Sequence, residues 1–167
     1  MSQTSISPML SVRRGAEAVE FYKSAFGANV LYRIDAPDGA VVARLSVDGA
    51  EFWVADESPE HKNFSPESLG GGTTRMVMVV KEPDDAFAKA IAAGAAAVSP
   101  VGNQHGWRVG RVVDPFGHPW EIGKPLSSPI PSPLPSTAAV IGAGAAAYFK
   151  RGRKVMKSVA AFWGKKP

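Results

Sequence analysis

The chain repeats itself, and the repeat limits what it can fold into. Gly27-Ala28, which closes a helical stretch, returns as Gly94-Ala95. Arg44 returns as Arg111, and the Asp48-Gly49 turn returns as Asp114–Gly117. The offset stays between 66 and 68 residues. One match of this kind is expected by chance, whereas several in the same order point to a duplicated unit. In the first copy, SISPMLSV reads as a strand, and Ala16–Phe26 places Val19, Tyr22, Ala25 and Phe26 on one helical face. NVLYRIDA, AVVARLSV and EFWVAD then read as three short strands separated by Pro-Asp-Gly and Asp-Gly turns. The second copy keeps the order. TTRMVMVVK is a strand, Asp84–Ala93 a helix that Asp84 or the turn before it caps, and AAAVSPV, WRVGRVVD and HPWEIGK are three more strands.

Each copy is thus a βαβββ unit, one over residues 5–58 and one over 73–125, within a domain spanning 1–126. A single helix covers one face of a four-stranded sheet and leaves the other face needing a partner. The expectation is an α+β domain of two tandem units, with paired curved sheets side by side around a cleft that suits a small molecule.

Outside the repeat the composition changes abruptly. SSPIPSPLPS, residues 127–136, holds four prolines and reads as a semi-rigid linker. Residues 137–167 form an alanine-rich, basic tail, expected to be partly helical or disordered. The net charge of +4 belongs to that tail: Lys150, Arg151, Arg153, Lys154, Lys157, Lys165 and Lys166 have no acid among them, and the remainder carries 12 basic and 15 acidic residues. The charge balance therefore gives no reason to expect nucleic acid on the domain. A basic segment ending in Phe162 and Trp163 is suited to lie on an anionic membrane surface. The sequence contains no cysteine, which excludes disulfides, thiolate catalysis and cysteine-bound metal. No run of apolar residues is long enough for a spanning helix, and the first residues do not read as a signal peptide, so a cytoplasmic location is expected.

Three stretches, SPMLSVRRGAEAVEFYKSAFGA, LSVDGAEFWVADE and GRVVDPFGHPWEIG, resemble the glyoxalase/bleomycin-resistance/dioxygenase (vicinal oxygen chelate) superfamily, and within it the PhnB-like branch. The resemblance covers residues 5–125 and implies the paired βαβββ fold, a central cleft and a homodimer. Metal-dependent members of the family carry four ligand positions, which fall here on Ser7, Trp53 (or its neighbour Phe52), Arg75 and Glu121. The repeat pairs the same positions, Ser7 with Arg75 and Trp53 with Glu121. Only Glu121 among them is a good donor, and a fixed arginine cation repels a divalent metal.

Glu51 and Trp53 alternate onto one strand face and, with Arg75 and Glu121, are candidates to line the cleft. An aromatic wall stacks flat ligands, and arginine forks onto carboxylate or phosphate. The competing reading is a structural Arg75–Glu121 ion pair across the unit interface. Trp120 alternates to the opposite face and is expected in the core. Of the three histidines, His61 and His118 read as loop and turn residues, while His105, in the loop before the seventh strand, is a candidate proton carrier. Gly70-Gly71-Gly72 precedes a strand rather than a helix, so it reads as the hinge between units and not as a phosphate loop.

Two function classes follow. One is a cofactor-free, metal-free protein that binds a small molecule in the cleft. The other is a metal-dependent lyase, isomerase or dioxygenase in which Glu121 is the base or the one remaining protein ligand.

Overall fold

The computed structural model describes residues 4–126, so the linker and tail expected at 127–167 lie outside the described residues. The elements run β1 (Met9–Val12), α1 (Gly15–Phe26), β2 (Asn29–Asp35), β3 (Val41–Val47), β4 (Ala50–Asp56), a short α2 (Pro66–Leu69), β5 (Met76–Val79), α3 (Pro83–Ala92), β6 (Ala96–Gln104), β7 (Trp107–Val113) and β8 (Pro119–Pro125). They form two four-stranded sheets of identical topology, β1-β4-β3-β2 and β5-β8-β7-β6, with β1 and β5 at free edges. In each sheet the first strand runs parallel to the fourth, and the other pairings are antiparallel. The duplicated βαβββ unit is therefore present as an α+β fold.

Local chemistry explains the helix ends. Asp56, at the end of β4, accepts the Gly15 amide at 2.9 Å and the Val41 amide at 2.7 Å. A carboxylate at a helix N-terminus satisfies an orphan donor and complements the dipole. Gly15 is needed there because a Cβ would run into the Asp56 carboxylate. At the other end Gly27 takes φ 68°, and the Gly27 and Ala28 amides close back onto Lys23 and Tyr22. The second helix departs from expectation. It begins at Pro83, one residue before Asp84, and has no side-chain cap. Proline at the first helical position removes one of the orphan amides of the first turn, and Asp84 is engaged by Arg108, whose Nε lies 2.6 Å from its Oδ2.

The two units join through their helix-bearing faces. Helices α1 and α3 pack against each other. Trp120 of β8, 4% exposed, reaches across to α1 and to the inner face of the first sheet. Its ring lies 4.7 Å from Phe26, 5.7 Å from Tyr22 and 5.8 Å from Phe52. Leu10, Val12, Leu45, Val54, Val112 and Ile122 complete the same core. The expected burial of Trp120 is thus observed, with a cross-unit role.

A buried carboxylate organises this joint. Asp114, 4% exposed, accepts the Tyr22 hydroxyl at 2.6 Å and the Trp120 indole at 3.0 Å. It also accepts the Phe116 and His118 amides at 3.0 and 2.9 Å, which shapes the Asp-Pro-Phe-Gly turn. His118 is buried in that turn, and its Nε2 donates to the Ser11 carbonyl of β1 at 2.9 Å. Burial, and then the adjacent Asp114, push the Tyr22 phenol well above its ordinary value near 10. A group whose pKa is raised on folding stabilises the native state fully below the unfolded value, and that contribution is lost as pH rises toward the folded value. Melting temperature should therefore fall as pH climbs above about 10, and Tyr22→Phe should show a smaller fall than the native chain over that range. Parallel alkaline melting curves would refute this contribution.

Candidate ligand-binding site

The face of each sheet turned away from the core is open. Met9 is 54% exposed, Val77 61% and Val79 53%, and every residue of β2 is exposed. Within one chain these two outer faces do not oppose each other. The more apolar faces, with their helices, are buried against each other, and the two remaining faces look outward.

Strand register builds one cross-strand row on each outer face. In the first sheet Met9, Trp53, Arg44 and Tyr32 are register partners across β1, β4, β3 and β2. In the second sheet Val77, Glu121, Arg111 and Ser99 are register partners across β5, β8, β7 and β6. Each residue of one row is the repeat equivalent of its counterpart in the other, at the offset of 67 or 68 seen in the sequence.

The first row is aromatic and cationic. Tyr32 and Trp53 meet edge to face at 6.0 Å, and the Arg44 guanidinium lies 5.7 Å over the Trp53 ring. The carboxylate paired with Arg44 is that of Glu51, at 3.8 Å, too long for a hydrogen bond. Arg44 Nε is shielded from solvent and makes no hydrogen bond. Phe52 points into the core, so Trp53 is the outward residue of that pair.

The second row is a charge cluster. Glu121 Oε1 lies 2.7 Å from Arg75 and 2.9 Å from Arg111 Nε. The Arg111 contact is at ion-pair distance but misaligned for a hydrogen bond, which leaves that Nε unsatisfied. The Arg75–Glu121 pair forms inside the second unit and does not bridge the units. Ser7 and Arg75 sit at equivalent places just before β1 and β5, Ser7 half-buried and Arg75 exposed.

The sequence candidates thus fall into two groups, Glu51 and Trp53 on one sheet and Arg75 and Glu121 on the other. His105 lies apart from both, at the exposed tip of the β6–β7 hairpin with φ 50°. His61 is an exposed loop residue beside Glu60. Gly70 and Gly71 take positive φ in the connection from α2 to β5, Gly70 as the left-handed cap of α2. Arg44, Arg111 and Tyr32 are further candidates that the sequence motifs did not single out. Strand alternation from Trp53, together with the repeat, was the signal that could have found them.

The four positions implied for a metal do not form a donor set. Serine, tryptophan and arginine accompany a single carboxylate whose Oε1 already faces two guanidinium groups. Among the described residues, no three His, Cys, Asp or Glu side chains gather in metal-binding proximity. No described helix is long and apolar enough to cross a membrane. A separate concavity of about 290 Å³ lies between β1 and the connection to β5, lined by Phe64, Pro66, Leu69 and His118. It includes Met9 but none of Arg44, Trp53 or Glu121.

Two tandem βαβββ units, each a four-stranded sheet of the same topology, define a glyoxalase-like class of protein. The chain belongs to the Glyoxalase/Bleomycin resistance protein/Dioxygenase superfamily, whose family model matches residues 6–122. An uncharacterized protein of Mycobacterium bovis is 37% identical over 129 residues, covering 74% of this chain and 85% of that one. The X-ray structure of an Arabidopsis thaliana gene product is similar at 31% identity and TM-score 0.54, over 72% of this chain and 97% of that one. TnmS3, an antibiotic binding protein from a Streptomyces species, shares the fold at 18% identity and TM-score 0.56, over 75% of this chain and 98% of that one.

Proposed function

We propose that this protein binds a small organic molecule, without a metal or other cofactor, in a cleft assembled between two copies of the chain. The observation that carries the reading is the pair of repeat-equivalent rows on outward faces. Each row alone is an open surface, and a binding cleft needs two walls to remove a ligand from water. A second copy can bring the first unit of one chain against the second unit of the other, which makes the cleft twice per dimer with closed two-fold symmetry. The exposed Met9, Ile34, Val77 and Val79 side chains supply apolar area for that contact. The sequence stretches around α1 and the Asp-Pro-Phe-Gly turn favour the PhnB-like branch, and an antibiotic binding protein shares the fold.

The metal-dependent alternative asks Glu121 to act as base or ligand. Its engagement by Arg75 and Arg111 works against both roles, because a base or a ligand must offer a free lone pair in the right direction.

Light scattering at micromolar concentration should give a mass of about twice 17.6 kDa. Calorimetry should then show binding of small conjugated compounds without turnover. The melting temperature should stay unchanged across a panel of Mn, Fe, Ni and Zn salts, since a metal held by the native state must stabilise it. A monomer would remove the shared cleft, and metal-restored catalysis would establish the enzyme reading in its place.

A further inference from the structure

We infer that the cleft takes a flat conjugated anion, its rings against Trp53 and Tyr32 and its charged group on the Arg44 guanidinium. This rests on the shared-cleft reading above and goes further, to the chemical class of the ligand. Three observations carry it. First, Tyr32, Arg44 and Trp53 are register neighbours, so two aromatic rings flank one cation on a rigid sheet. Second, that cation is under-engaged: its carboxylate neighbour stands 3.8 Å away, and its Nε has no hydrogen bond. Third, the facing row adds no negative charge to match it. Arg75 and Arg111 share the one carboxylate of Glu121.

Brought together, the two faces set the guanidinium groups of Arg44, Arg75 and Arg111 against the carboxylates of Glu51 and Glu121. Closing such a cleft strips water from a surplus cation, which is costly unless an anion enters with the ligand. A neutral ligand would leave the Arg44 donors desolvated and unpaired. A carboxylate, sulfonate or phosphate accepts the guanidinium fork, while its attached rings use the indole and phenol faces. The competing account gives Arg44 only a surface cation–π contact with Trp53, which does not depend on ligand charge.

The test uses two probes of nearly identical shape, 2-naphthoate and 2-naphthamide, titrated calorimetrically into the full-length chain. Hydrogen bonds to a charged group are worth about 1.5–3 kcal/mol, or roughly ten- to hundredfold in affinity. The acid should therefore bind at least about tenfold tighter than the amide, and the difference should shrink with added salt. Arg44→Gln should bring the acid down to the amide's affinity and leave the amide almost unchanged. Arg44→Lys should retain part of the preference, and unchanged melting temperatures would establish that both variants fold. Equal binding of the two probes, or an acid preference that survives Arg44→Gln, would overturn the inference while leaving the binding cleft in place. Failure of both probes to bind the dimer would overturn the cleft reading itself.

Discussion

Asp114→Ala should unfold at a temperature on the order of 10–20 °C below the native chain, corresponding to about 3–5 kcal/mol. The expectation follows from how many donors the side chain serves. Two are side chains, Tyr22 of the first unit and Trp120 of the second, and two are main-chain amides of its own turn. Deleting one partner of a buried hydrogen bond costs the desolvation of whatever is left, about 1–3 kcal/mol per group. Here the removal strands four donors in a site closed by Phe116, Tyr22 and Trp120. Asp114→Asn should be milder. Its carbonyl still accepts from the two amides, but its NH2 group meets the Trp120 indole, which can only donate. The order of melting temperatures, native above Asn above Ala, is the check. An Asp114→Ala chain melting within a few degrees of native would show that water replaces the carboxylate and that the joint between units rests on aromatic packing alone.

The same residue shows why the fold was legible in the sequence and the site was not. The repeat, the strand alternation and the Asp-Pro-Phe-Gly turn are local signals that recur at fixed spacing, and each copy forms the βαβββ unit they imply. Trp120 could be assigned to the core because alternation separates it from Glu121. The way the two units face each other is not local. It depends on which sheet face buries more apolar area, and that is decided jointly by Tyr22, Phe26, Phe52 and Trp120, from three different elements. Side-by-side sheets and back-to-back sheets share one pattern of inward and outward residues. The sequence offers Glu51, Trp53, Arg75 and Glu121 together as cleft-lining candidates, yet it does not reveal that they occupy the outer faces of two different sheets. His118 illustrates the same point at one residue. Its sequence context implies a turn, and only the assembled units show its Nε2 holding the free edge of β1.

A mixture of two binding-defective chains should regain full-affinity sites. If each cleft pairs the first unit of one copy with the second unit of its partner, Arg44→Gln damages only first-unit walls, and Arg111→Gln damages only second-unit walls. Both positions are more than a third exposed at the side chain, so neither change should disturb the core. Each variant alone should bind 2-naphthoate weakly at every site, since every cleft then lacks one guanidinium. In a mixed dimer one cleft combines both lesions, and the other combines two intact walls. After subunits are exchanged at equal concentrations, half of the dimers are mixed, so about one quarter of all clefts should bind with native affinity. The calorimetric titration should then resolve a tight phase of that stoichiometry above a weak background. A cleft formed within a single chain predicts no tight phase at all, because every chain carries its own lesion. The measurement separates the two arrangements by the presence or absence of binding, without relying on the size of any single substitution's effect. Absence of the tight phase, with reassortment verified by a tagged subunit, would mean that the two outward rows act separately.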